Sequence, residues 1–306
     1  MVGTPQEMSL PPKAKRNWLV LGSRGQLGTE LIQMLMRSGE EVVGWDRRDF
    51  DLTDITSFEN GFKSVKPTIV VNCAAWTNVD GAEDDPDAAM MINGAAVEKI
   101  GQLLSNYETS FFHISTDYVF DGLSDLPYAE DATPNPQTSY GCSKLAGETA
   151  ILAHLPNSGF IIRTAWLYGS YGKNFAKTIL KKLSDSDMIY VVNDQIGQPT
   201  HTLDVAEQIF ALAIGPTPPG IYHATNSGSA TWFDFAQELA ILSGAGADQI
   251  KSIPSSGFPQ KAKRPKFSVL SQYKSEAIGI PRMQSWQSAL KSAMPDLLTS
   301  IAPKSL

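Results

Sequence analysis

Residues 17–28 read NWLVLGSRGQLG and run directly into TELIQMLMRSG at 29–39. A short apolar run that ends in glycine is what a strand buried in a parallel sheet looks like. Beyond it Leu31, Ile32, Leu35 and Met36 recur at helical spacing until Gly39 stops the helix. Between strand and helix lie Gly22, Gly25 and Gly28, spaced G-x-x-G-x-x-G. A tight turn needs glycine, a backbone that approaches a pyrophosphate needs no side chain in its way, and free N–H groups at the helix start receive the anion. Glycine spacing alone also fits an ordinary strand-to-helix turn. Its position after a first buried strand and before an amphipathic helix points to dinucleotide binding.

The same alternation continues outward. Glu41–Trp45 reads as a second strand, 54–64 as a helix broken by Pro67, and 68–74 as a third strand. A helix is expected over 87–106, a strand over 110–115, a helix over 140–155 and a strand over 160–164. Repeated strand–helix units predict an α/β chain, a Rossmann-like doubly wound parallel sheet over residues 16–165. Residues 166–306 read as a smaller, looser substrate-binding part with some segments returning to the core. Its proline and glycine clusters fall at 215–220 and 254–265, and its helices at 232–243 and after Gln284. Residues 1–15 read as a flexible extension.

Composition bounds the function. The 306 residues carry 32 acidic and 25 basic side chains, a formal charge of -7. That balance argues against a broad nucleic-acid binder and leaves room for a local anion site. No apolar stretch is long enough to span a membrane. Two cysteines, Cys73 and Cys142, provide neither a disulfide framework nor a cysteine zinc site, and read as reduced in a cytoplasmic protein. The four histidines show no metal-ligand spacing, and His113, inside the apolar run SFFHIS, reads as a core residue.

The second strand ends at Asp46-Arg47-Arg48. An acidic residue about 20 positions past a glycine turn accepts hydrogen bonds from an adenosine ribose. Neighbouring arginines hold a 2′-phosphate instead, and Arg24 in the turn adds to them. The two signals compete. NADPH is favoured and NADH is expected to be usable, with a solvated loop as the plain alternative for Arg47 and Arg48. Tyr140 and Lys144 stand at i and i+4 on one helix face. An ammonium near a phenol favours the phenolate and would lower the tyrosine pKa. Ser115-Thr116-Asp117 places hydroxyls at the carboxyl end of a strand, where open α/β sheets carry their ligand chemistry.

Taken together, these segments resemble the extended short-chain dehydrogenases/reductases, and within them the dTDP-4-dehydrorhamnose reductase family. The matching stretches are GSRGQLG at 22–28, DLTD at 51–54, VNCAAWTNVDGAE at 71–83, STDYVFDG at 115–122, YGCSKLAGE at 140–148, RTAWLYG at 163–169, NFAKTIL at 174–180, DQIGQPT at 194–200 and RPKFSVL at 264–270. The resemblance implies that Gly25, Gln26 and Leu27 touch a cofactor pyrophosphate. It sets Asp46 near the ribose, Asp51 and Leu52 near the adenine, and Ala74, Ala75 and Thr77 on the nicotinamide side. Thr116 and Asp117 would meet the sugar, Tyr140 and Lys144 carry the proton chemistry, and Trp166 pack on the substrate, although a core tryptophan is the competing reading.

The implied reaction is NADPH-dependent reduction of a nucleotide-sugar C4 ketone. Arg264 is a candidate for the sugar-nucleotide diphosphate, with a solvated basic loop as its alternative. A 4,6-dehydratase of related fold places Glu after the Asp that here precedes Tyr118. An epimerase, and a regulatory subunit like that of methionine adenosyltransferase, are the remaining alternatives. The resemblance is compatible with a homodimer. Some members hold Mg²⁺ at an interface through glutamates, but those ligands do not map onto this chain and no metal is expected.

Overall fold

The computed structural model of the protein describes residues 16–185, 188–258 and 260–302. The extension expected at residues 1–15 lies outside the described residues. Five strands, β1 (Asn17–Leu21), β2 (Glu41–Trp45), β3 (Ile69–Asn72), β4 (Ser110–Thr116) and β5 (Gly159–Thr164), join a sixth at Gly220–His223. All pair in parallel, in the order β2-β1-β3-β4-β5 and then Gly220–His223. The order reverses between β1 and β3, so a crevice opens there at the carboxyl ends.

The period of two along each strand divides the core. Trp18, Val20, Val71, Phe112 and Ile162 face α1 (Gln26–Arg37) and α8 (Thr202–Ile214) through Leu31, Leu35, Val205 and Ile209. Leu19, Leu21, Val70, Phe111 and Ile161 face the other way. They pack on α2 (Ile55–Val65), α5 (Ala96–Leu104) and α6 (Ser139–His154) through Phe58, Phe62, Ile100 and Ile151. Each such fully buried aliphatic or aromatic side chain contributes about 1.5–3 kcal/mol. A separate apolar cluster joins Ile179 and Leu180 of α7 (Phe175–Asp185), Phe235 and Leu239 of α9 (Trp232–Ser243) and Leu290 of the C-terminal helix Trp286–Ile301.

Local chemistry sets the element ends. Asp54 accepts a hydrogen bond from the Ser57 N–H at the start of α2, and Thr138 accepts from Gly141 at the start of α6. Thr231 and Asp234 form a reciprocal capping box on α9. The single helix expected over 87–106 is interrupted. After α3 (Val79–Asp84) comes α4 (Pro86–Met90), capped by Asp85, then a π turn at Met91–Ala95 before α5. That turn carries a buried polar residue, Asn93, whose side chain bonds the Trp76 backbone.

Candidate active site at the carboxyl edge of the sheet

The crevice forms one cavity of about 1200 Å³ that runs from the glycine turn to the start of α6. Gly22, at φ +74°, sits so close to the next strand end that a Cβ there would lie 2.7 Å from the Ala74 nitrogen. A Cβ on Gly28 would stand 2.2 Å from the Gly22 carbonyl oxygen, so this glycine packs the turn from behind and does not line the cavity. Gly25 caps α1 without any side-chain hydrogen bond, and the first turn of that helix holds no acid. The N-terminal N–H groups are therefore left for an anion. A pyridine dinucleotide fits the turn, the helix start and the cavity size together.

Asp46, Arg47, Asp51 and Leu52 line the adenosine end. Arg24 Nε stands 2.8 Å from Asp46 Oδ2, and Arg48 reaches both oxygens, at 3.2 and 2.9 Å. Arg48, and more weakly Arg24, hold the Asp46 carboxyl below its usual range. The two competing signals of the sequence are thus one exposed ion cluster, with Asp46 engaged by the guanidiniums that would meet a 2′-phosphate. Asp51 accepts from the Thr53 N–H and hydroxyl, both at 2.8 Å.

Ala74, Ala75 and Thr77 follow β3 along the cavity wall. Asn93 secures this segment to α6. Its Oδ1 accepts from the Trp76 N–H at 2.8 Å, and its Nδ2 donates to the Trp76 carbonyl and to Ser143 Oγ. Sequence reasoning missed Asn93; its signal was an amide inside an otherwise apolar helical run.

Thr116, Asp117, Tyr140 and Lys144 line the far end of the cavity. Thr116 donates to Asp117 Oδ1 at 3.0 Å. Burial raises the Asp117 carboxyl to about 6, against hydrogen bonds from Ser268 and Thr116 that lower it. The Tyr140 ring meets Tyr118 edge-on at 5.6 Å. Burial pushes the Tyr140 phenol well above its ordinary value, opposed by the Thr116 hydroxyl. The i, i+4 spacing predicts the reverse, a phenol lowered by Lys144. In the structure Lys144 donates to the Ile114 carbonyl at 2.6 Å, with His113 Nε2 at 3.2 Å, and burial decides the phenol instead. Burial lowers Lys144 to about 8.

Beneath them Arg163 chelates Glu148 at 2.9 and 2.6 Å, and Ser115 donates to the same carboxylate at 2.5 Å. Both charged side chains are fully buried. This pair ties β4, β5 and α6 together directly below the reactive groups.

Trp166 lines the cavity but one face is already covered, since Trp232 stacks on it at 3.6 Å and 9°. Its φ of +45° is a left-handed backbone state costly for a bulky residue. Trp232 and Lys173 also line the cavity, and neither was picked from the sequence. Their signal is faint because both precede or begin helices of the second half. Arg264 is set apart from the cavity wall. It pairs with Asp80 at 2.7 Å, bonds Tyr118 Oη at 3.3 Å and Gln260 at 2.9 Å, so the segment around it is fastened to α3.

The RmlD substrate binding domain model matches residues 16–299. The chain belongs to the RmlD family. Among curated RmlD relatives, a dTDP-4-dehydrorhamnose reductase of Streptomyces griseus is 41% identical over 292 residues, 94% of this chain and 96% of its own. A dTDP-4-keto-6-deoxy-D-glucose reductase of Streptomyces niveus is 40% identical over 278 residues, covering 91% of this chain and 96% of that one. A solved dTDP-4-dehydrorhamnose reductase of Bacillus anthracis, in complex with NADP, superposes with a TM-score of 0.89. It is 33% identical and covers 92% of this chain and 100% of its own. No helix among the described residues of this RmlD protein is long and apolar enough to cross a membrane.

Proposed function

We propose that this RmlD protein reduces the C4 ketone of dTDP-4-dehydro-L-rhamnose to dTDP-L-rhamnose with NADPH. The observation that carries the reading is the single cavity joining an anion-accepting glycine turn to the buried phenol of Tyr140. Bound NADPH supplies the hydride that reaches C4. Tyr140 donates its phenolic proton to the C4 oxygen, so ketone, hydride and proton together give the secondary alcohol. A phenol raised by burial keeps that proton at neutral pH until oxyanion character develops and draws it off.

Thr116 stabilises the same oxygen once its hydroxyl turns from Asp117, as an oxyanion-hole donor worth about 2–4 kcal/mol. Lys144 supplies N–H groups to the ribose beside the nicotinamide. Gly25, Gln26 and Leu27 meet the pyrophosphate, and Arg24, Arg47 and Arg48 meet the 2′-phosphate. Trp166 and Trp232 together form the apolar wall for the sugar nucleotide. Arg264 reaches the substrate diphosphate only by exchanging its Asp80 partner. A homodimer and a cytoplasmic setting accompany this reading. Sedimentation and cell fractionation test them.

The first test follows NADPH oxidation with dTDP-4-dehydro-L-rhamnose and with dTDP-4-keto-6-deoxy-D-glucose. Higher kcat/KM for the first supports the proposal. The Streptomyces niveus relative gives the second ketosugar its place in the test, and a preference for it would move the assignment there. Elimination is disfavoured because Tyr118, whose hydroxyl bonds Arg264, occupies the position after Asp117. Absence of NADPH oxidation with every ketosugar, alongside a stable protein complex, would favour a regulatory subunit.

A further inference from the structure

A loop from the second half of the chain reaches the cavity beside the glycine turn. Its residues Gly172 and Lys173 line the wall. Gly172, at φ +65°, rests on the first residue of α1, where a Cβ would lie 2.7 Å from Gln26 Cγ. A side chain there would be strained by the backbone as well as crowded. The start of α7 holds the loop in place. Asn174 Nδ2 donates to the Gly169 carbonyl at 2.8 Å, and Asn174 Oδ1 accepts from the Lys177 N–H at 3.0 Å. Lys177 Nζ donates to the Ser170 carbonyl at 2.8 Å, so that ammonium is committed to the loop backbone.

Lys173 is different. It is exposed, and its side chain has no ion pair or hydrogen bond among the described residues. The other basic side chains of the wall are placed elsewhere. Arg24 and Arg48 pair with Asp46 at the adenosine end, which Arg47 also lines, and Lys144 donates to the Ile114 carbonyl at the chemical end. Between those ends the α1 start offers N–H groups and only a partial positive charge. Gln26 Oε1 is buried there without a hydrogen-bond partner. We propose that Lys173 is a cofactor-binding residue whose ammonium closes on the dinucleotide pyrophosphate, donating to a phosphate oxygen and to Gln26 Oε1. The proposal rests on the reductase reading and adds to it a cation from the second half of the chain, so that the cofactor ties the two halves together. The diphosphate of a sugar nucleotide has the same chemistry. The seat of Gly172 on Gln26 favours the cofactor, because Gln26 begins the helix that receives its pyrophosphate.

The test compares the parent protein with Lys173→Gln and Lys173→Arg. NADPH and NADH dissociation constants are read by cofactor fluorescence, and dTDP binding by calorimetry. In Lys173→Gln both dinucleotides should weaken by the same factor, about 5–20-fold at about 50 mM salt, because the pyrophosphate is common to them. The loss should shrink to about twofold at about 0.5 M salt, and Lys173→Arg should bind like the parent at low salt. dTDP should bind all three proteins alike. Unchanged dinucleotide binding in Lys173→Gln overturns the proposal and leaves the reductase reading standing. A loss that salt does not reduce and arginine does not restore marks a merely structural loop and overturns it as well. A loss with NADPH alone places the ammonium on the 2′-phosphate, and a loss confined to dTDP places it on the substrate diphosphate; either overturns the assignment. A parent protein that binds neither dinucleotide defeats the reductase reading together with the proposal.

Discussion

The two ends of the cavity handle charge in opposite ways. At the adenosine end Asp46, Arg24 and Arg48 form an ion cluster whose arginines are two-thirds exposed. At the chemical end Arg163, Glu148, Lys144, His113 and Asp117 are all buried. Water and salt screen the first group, so its pairs exchange easily and a ligand phosphate can replace a carboxylate. The second group has no such freedom. Each buried charge must be paired there or its pKa must move, and those shifts set which protons are available for chemistry. One end is built to trade partners and the other to fix protonation.

Substitutions at the buried end should therefore have the larger effects. Tyr140→Phe removes the only proton the reductase reading delivers to the C4 oxygen, and turnover should fall by about 10²–10⁴-fold while NADPH still binds. Near-normal turnover would refute the role. Arg163→Met leaves Glu148 buried without its cation. The expected loss is about 3–5 kcal/mol of unfolding free energy, read by urea denaturation. A loss below about 1 kcal/mol would mean that the pair behaves like a surface bridge, and the contrast between the two ends would collapse.

The sequence carries this contrast unevenly. The strands from Trp18 to Thr164 announce themselves because each is a short apolar run closed by glycine, proline or a polar cap, and periods of two and 3.6 need no tertiary information. Tyr140, Lys144 and Thr116 were legible for the same reason, since strand ends and helix faces place them. The strand Gly220–His223 was not read, because it is four residues long and follows a proline–glycine cluster. In α8 the unbroken apolar run 209–214 hides the helical period. Asn93, inside the interruption, has its partners at Trp76 and Ser143, both distant in sequence, so its role was not legible there. The direction of the Tyr140 pKa was misjudged because i, i+4 spacing identifies a shared face but says nothing of the burial that raises the phenol or of the His113 and Ile114 partners beside Lys144.

A smaller effect tests Asp117. Its folded-state pKa of about 6 lies above the ordinary 3.8. A carboxyl raised in this way adds stability that is complete below the unfolded value and is lost as pH rises through about 6. Asp117→Asn should flatten the stability profile between about pH 4 and about pH 6, removing a slope on the order of 2 kcal/mol. Thermal melts across that range check it, and an unchanged slope would place the titration elsewhere. The same carboxyl holds the Thr116 hydroxyl, so in the reductase reading the variant should also lose any acid-side gain in turnover as that hydroxyl is released.

The smallest change belongs to the exposed end. Asp46→Asn frees Arg24 and Arg48 from their carboxylate without disturbing a buried contact. Both guanidiniums then face a 2′-phosphate with one fewer competing anion. The NADPH-to-NADH ratio of dissociation constants should shift toward NADPH by roughly 3–10-fold at low salt, and by less at about 0.5 M, where exposed charges are screened. NADH binding should weaken through loss of the ribose acceptor and show little salt dependence. Equal responses of the two cofactors would mean that the arginines are solvated and serve no ligand. The adenosine end would then hold its cofactor through the glycine turn alone, and the exchange of partners that separates it from the buried end would have no occupant to act on.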